Sequence, residues 1–251
     1  MYKIVLLRHG ESEWNALNLF TGWTDVDLTE QGIKESKNAA KIFLKRGYTF
    51  DIIFTSVLKR CIKTAWIILD EMDAMWVPIK RSWKLNERFD GDLQGKNKVE
   101  MAKKYGEEQV FLWRRGWDNP AQPIPESDPR HPINHRKYQT LKKEEIPSIE
   151  SLKDVEKRVK SYWLKEIVPE IIKGEKVLII AHGNSLRALI KDLNDISPEK
   201  LSQINIPSGI PCVYELNNEL KTIRSYYLGD PSEIQNAIQL MVDAHKFTKE
   251  N

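Results

Sequence analysis

The sequence predicts a single α/β domain built on a doubly wound, mostly parallel sheet with helices on both faces, and three observations carry that expectation. Residues 3–7, 51–55 and 175–181 are short runs rich in Ile, Val and Leu without polar alternation, as strands buried on both faces are. A helical pattern follows each run, over 28–46, 57–69 and 185–193. Strands alternating with helices form βαβ units, and such units assemble a parallel sheet. The 251 residues are enough for one such core, so 1–251 is read as one domain.

Each element has its own justification. Run 3–7 stops at the polar cluster Arg8-His9-Gly10-Glu11-Ser12, where a buried strand would leave the sheet, and run 51–55 stops in the same way at Thr55-Ser56. Helices at 99–105, 107–115 and 151–172 fill the middle, and Pro169 is expected to kink the last by removing a backbone donor. Between 116 and 147 lie six of the twelve prolines together with His131 and His135. Long loops inside compact domains are lids, binding loops or disordered segments, and this one is expected to be a mobile lid. Run 175–181 stops at His182. Runs 211–216 and 220–228 flank Asn217-Asn218-Glu219 as a hairpin at the sheet margin. The tail from about 229 opens with Asp230-Pro231-Ser232-Glu233, an N-cap with Pro at N1 and Glu at N3. Ile234, Ile238, Met241 and His245 then recur at helical spacing, which predicts a short amphipathic helix able to dock or fray.

Composition excludes several classes. A net charge of +3 is too balanced for nucleic acid to be the main partner, so positive potential must be local. Cys61 and Cys212 are far apart, with no spacing that suggests a disulfide framework or zinc. Four apolar residues at the N-terminus are too few for a signal-peptide core, and no run approaches a membrane span. A soluble, cytoplasmic protein with no metal is expected.

The chemistry concentrates at strand ends. Arg8-His9-Gly10-Glu11-Ser12 follows the first strand and His182-Gly183-Asn184-Ser185 the third, and ligands of open parallel sheets bind beyond the carboxyl ends. Two histidines therefore share one rim. A glycine behind each lets backbone come close to a ligand, with helix N-termini nearby that attract anions. Arg8 and Arg60 bring forked guanidinium donors that match a phosphoryl group. One His-Gly pair alone is more often an ordinary core or surface feature; two on one rim with arginines point to phosphate.

The strings Arg8-His9-Gly10-Glu11-Ser12-Glu13-Trp14-Asn15, Phe20-Thr21-Gly22-Trp23, Thr55-Ser56-Val57-Leu58-Lys59-Arg60, Leu85-Asn86-Glu87-Arg88, Trp113-Arg114-Arg115 and Ala181-His182-Gly183-Asn184-Ser185 occur in order along the chain. Together they resemble the cofactor-dependent phosphoglycerate mutases of the histidine phosphatase superfamily, from about residue 3 to 228. That resemblance implies that His9 carries the phosphoryl group, that His182 stabilises it in transit, and that Glu87 exchanges the proton of the substrate hydroxyl. It places Arg8 and Arg60 around the phosphoryl oxygens. It also implies that Asn15, Thr21, Gly22, Lys98, Arg114, Arg115, Gly183 and Asn184 bind the phosphate and carboxylate of a small phosphorylated three-carbon acid. The implied activity is interconversion of 3- and 2-phosphoglycerate in glycolysis and gluconeogenesis, primed by 2,3-bisphosphoglycerate without a metal. The implied assembly is a homodimer or a dimer of dimers.

One stretch departs from the pattern: Phe89-Asp90 stands where relatives carry His-Tyr. An aspartate there is expected to bring negative charge beside a dianion, much of which Arg8, Arg60, Arg88, Arg114 and Arg115 could absorb. Two alternatives stay open, a phosphatase that lets water attack the phosphohistidine, and a weakly active or silent member that only binds.

Overall fold

The computed structural model describes residues 1–243, with side chains through 239. His245 and the Met241 side chain therefore lie outside the described residues. The first half of the chain runs β1 (Tyr2–Arg8), α1 (Glu13–Ala16), α2 (Glu30–Lys45), β2 (Ile52–Thr55), α3 (Lys59–Glu71), β3 (Ile79–Arg81), α4 (Lys98–Tyr105) and α5 (Glu107–Arg115). Then come α6 (Leu152–Tyr162), α7 (Val168–Ile172), β4 (Val177–Ala181), α8 (Gly183–Asn194), α9 (Pro198–Leu201), β5 (Cys212–Leu216), β6 (Thr222–Tyr227) and α10 (Pro231–Asp243).

Alternation along the strands decides how the sheet is covered. Ile4 and Leu6 of β1 point into one core with Phe54 and Ile179, under α6 and α8. Val5 and Leu7 point into a second core with Ile53, Leu178 and Ile180, under α2 and α3. Successive strand residues face opposite sides, so a run that is apolar at every position needs helices on both. The strand order is β3-β2-β4-β1-β5-β6. The first four strands are mutually parallel, whereas β5 joins β1 antiparallel and pairs with β6 as the expected hairpin.

Three differences from the expectation have physical causes. The helix over 151–172 is interrupted before Pro169, by a π-turn at Trp163–Ile167 in which Val168 N–H reaches back to Trp163 O. The wider turn restarts the helix with proline at its beginning, where no backbone donor is needed. The short edge strand β3 leaves no sequence signal, because three residues give too little pattern. Segment 116–147, expected as a mobile lid, carries apolar anchors of its own: Ile124 and Tyr138 are buried with Trp23 and Phe89, and His131 stacks edge-on to Phe89 while meeting Ser148 Oγ at 3.0 Å.

Candidate active site

Register places the two histidines together. Arg8 of β1 pairs with Ala181 of β4, so the residues that follow, His9 and His182, emerge side by side on the rim. His9 N–H donates to the Ala181 carbonyl at 3.1 Å, and the rings meet edge to face with centroids 4.9 Å apart. On the far side of β4, Thr55 of β2 pairs with Ile180, which brings Ser56 to within 2.8 Å of His182 Nε2.

The His9 tautomer follows from its partner. Nδ1 lies 2.7 Å from the Gly10 carbonyl, which can only accept, so Nδ1 carries the proton and Nε2 keeps its lone pair. Burial above all, then the charges of Arg60 and Arg8, hold the His9 pKa well below the usual histidine range. A neutral imidazole with its Nε2 lone pair available is a nucleophile. Burial and Arg60 depress His182 in the same direction. Its ring is fully covered, with the Cys61 sulfur 3.3 Å from Nε2.

The cations are aimed by backbone carbonyls. Arg60 is 1% exposed and donates to Thr24 O and Gly22 O, both at 2.9 Å. Arg8 donates to Ile206 O at 3.0 Å. Glu87 is held through its own carbonyl, which accepts from Trp23 Nε1 at 2.5 Å and from Arg158 Nη2 at 2.8 Å. Arg158 is fixed in turn by a bidentate pair with Glu150, at 2.6 and 2.9 Å. Burial would raise the Glu87 carboxyl, but hydrogen bonds from Arg88 N–H and Asn184, with the Arg60 and Arg88 charges, together bring it below the usual range. Glu87 is therefore an anion, whose carboxylate oxygens can act as proton acceptors.

A cavity of about 370 Å³ opens above this rim. Arg8, His9, Asn15, Thr21, Gly22, Arg60, Glu87, Asp90, Lys98, Arg114, Arg115, Gly183 and Asn184 all line it, whereas His182 lies beneath, against His9. β1 supplies Arg8 and the first turn of α3 supplies Arg60; α4 and the C-terminal turn of α5 bring Lys98, Arg114 and Arg115 to the same space. Sequence reading did not place Glu11, Glu35 or Arg187 in the wall, nor the Glu150–Arg158 clamp behind Glu87. No local pattern announces residues that act across a fold, although Arg187 is three positions from Asn184 on one helix face.

Several expectations are refined. Asp90 lines the cavity, but its charge is not left bare: Arg88 Nε and Nη2 both donate to its Oδ1, at 3.1 and 2.9 Å. The glycine behind His9 serves packing, since a Cβ on Gly10 would stand 2.2 Å from the Gly32 carbonyl oxygen of α2. A Cβ on Gly183, which lines the cavity, would come no closer than 3.8 Å to the neighbouring side chains. Segment 116–147, expected as a lid, contributes no described residue to the cavity wall, whereas Ala237 of α10 does. Among the described residues no cluster of His, Cys, Asp and Glu is spaced to hold a metal ion, and no helix is long and apolar enough to cross a membrane.

The family model of the histidine phosphatase superfamily, branch 1, matches residues 4–129 and 121–228. The chain belongs to the histidine phosphatase superfamily. Solved structures with the same fold include YhfR from Bacillus stearothermophilus, at 24% identity and a TM-score of 0.66, with 86% of this chain and 92% of that one covered. A mycobacterial glucosyl-3-phosphoglycerate phosphatase complexed with VO3 matches at 20% identity and a TM-score of 0.65, over 90% and 97%. The α-ribazole phosphatase of Shigella flexneri matches at 22% and 0.63, over 88% and 94%. At these identities the likeness is one of fold. Membership of this superfamily of phosphatases and phosphotransferases agrees with the paired histidines and arginines on the rim.

Proposed function

We propose that this protein is a phosphoglycerate mutase that interconverts 3- and 2-phosphoglycerate through a phosphohistidine at His9. One observation carries the reading: the wall around His9 and Glu87 bears seven arginine and lysine side chains against four carboxylates. A single phosphoryl group is served by Arg8 and Arg60 on the rim. The cations from α4 and α5 then suit a second anionic group on the same small molecule, as a phosphorylated carboxylic acid has. The same two sets of cations suit 2,3-bisphosphoglycerate, which when bound supplies the priming phosphoryl group.

In the phosphoenzyme, the Glu87 carboxylate takes the proton of the substrate hydroxyl as that oxygen attacks phosphorus and the bond to His9 Nε2 breaks. Neutral imidazole leaves. His9 Nε2 then attacks the other phosphoryl group of the product, its P–O bond breaks, and Glu87 returns the proton to the departing oxygen. Arg8 and Arg60, which line the cavity, face the charge that develops on the equatorial oxygens, with His182 beneath them against the His9 ring. No step calls for a metal, so activity should persist in EDTA.

A second reading is favoured by the names of the similar structures, two of which are phosphatases and one of which acts on a phosphoglycerate derivative. In that reading water replaces the acceptor hydroxyl. The deciding assay incubates the enzyme with 3-phosphoglycerate and a trace of 2,3-bisphosphoglycerate, and follows 2-phosphoglycerate and free phosphate together. Isomerisation well above phosphate release supports the mutase; phosphate release alone supports the phosphatase. A silent binding protein gives neither.

A further inference from the structure

Arg187 sits in the second turn of α8, near the positive end of the helix, and is only 7% exposed. A cation is disfavoured there twice, by the helix dipole and by loss of water. Two partners hold it in place. Its Nη1 donates to Asn184 Oδ1 at 2.7 Å and its Nε donates to the Ile204 carbonyl at 3.1 Å. Arg115 Nη1 donates to the same Ile204 carbonyl at 3.0 Å, and its Nη2 donates to Asn205 Oδ1 at 2.9 Å.

Two consequences follow. Because Arg187 occupies the oxygen of the Asn184 amide, the NH2 end is the one turned to the cavity that Asn184 lines, on the side of the Glu87 carboxylate. An amide fixed that way round recognises an anion; reversed, it would repel one. The shared carbonyl, meanwhile, draws two guanidinium groups together against their mutual repulsion. Burial above all lowers Arg187 to about 9, and burial followed by the Arg187 charge lowers Arg115. An anion placed beside the pair would offset part of the repulsion between the two guanidinium groups.

We propose that Arg187 is a positioning residue for the second anionic group of the substrate, acting through the Asn184 amide and through the Ile204 carbonyl it shares with Arg115. This rests on the two-ended phosphorylated acid proposed above. The test is a double-mutant cycle on the full chain, read as the Kd of 3-phosphoglycerate by calorimetry, with melting temperatures measured alongside. Arg187→Ala and Asn184→Ala should each weaken binding about tenfold, the range of one charge-assisted hydrogen bond. Because one acts through the other, the double variant should fall short of the product of the singles by about fivefold or more. Multiplicative effects, or an Arg187→Ala Kd within about twofold of wild type, would overturn the proposal. If Arg187→Ala does not fold, Arg187→Lys takes its place in the cycle: it can keep only one of the two bonds and should bind several-fold more weakly, and wild-type affinity would overturn the proposal. A wild-type protein that binds 3-phosphoglycerate without isomerising it removes the mutase reading and leaves the cycle readable. One that does not bind it at all overturns both.

Discussion

Arg88 commits both its Nε and its Nη2 to a single oxygen of Asp90, so the acidic residue that looks like an intruder in an anion pocket arrives already paired. Burial raises the Asp90 carboxyl, and the Arg88 charge opposes that rise. Both side chains are nearly covered.

The pair makes a prediction about Asp90→Asn. Removing one partner of a buried pair leaves an uncompensated charge, which costs about 3 kcal/mol or more. The empty variant should melt several degrees below wild type, and 3-phosphoglycerate should raise its Tm by more than it raises that of wild type, because the ligand takes over as partner of Arg88. Equal ligand-induced shifts would mean that Arg88 does not turn to the ligand.

Lys98 predicts a pH dependence of binding. Burial, then the Arg114 charge, pushes its pKa down to about 7. In the empty cavity it is charged below that value and neutral above it, while an anionic ligand favours the charged form. Binding above pH 7 should therefore take up a proton, and KM for 3-phosphoglycerate should rise as pH goes from 7 to 9. Calorimetry in buffers of different ionisation heat reads the proton directly. A flat KM with no proton uptake would show that Lys98 stays charged throughout. His9, held well below the usual histidine range, should place no acid limb on turnover between about pH 6 and 8.

The two glycines behind the histidines should part company on substitution. Gly10→Ala forces a Cβ into the Gly32 carbonyl and should cost more than about 2 kcal/mol of stability. Gly183→Ala meets no protein atom closer than 3.8 Å, so it should melt within a few degrees of wild type while raising KM about tenfold, the methyl taking space from the ligand. A Gly183→Ala enzyme with unchanged KM would show that the ligand does not come close there.

Ala237 on the cavity wall makes α10 the element expected to shield the phosphohistidine from water. Ending the chain at Gly229 should raise the ratio of phosphate released to phosphoglycerate isomerised by several-fold. An unchanged ratio would assign the shielding to other parts of the wall.

How much of this could be read from sequence depends on range. Apolar runs ending in Arg8-His9-Gly10 and His182-Gly183-Asn184 mark their own strand ends, and parallel topology does the rest, because Arg8 and Ala181 are register partners. Positions such as Lys98 and Arg114 were legible only through family resemblance; by themselves they read as solvated helix residues. The anchoring of the 116–147 segment is not legible locally, because the burial of Ile124 and Tyr138 needs Trp23 and Phe89 from distant segments. The Arg158–Glu150 clamp on the Glu87 carbonyl joins residues about 70 positions apart from the one they position, and no local period carries that information. Asp90 and Arg88 are two apart, yet whether they pair or diverge depends on the backbone of the turn that carries them.

The most direct test of the account is to mix the enzyme with 2,3-bisphosphoglycerate labelled in its phosphoryl groups, quench, and map the label by mass spectrometry. The account predicts one acid-labile phosphohistidine, at His9, absent from His9→Ala and discharged by added 3-phosphoglycerate. Label on another residue, or stable label in His9→Ala, would contradict it.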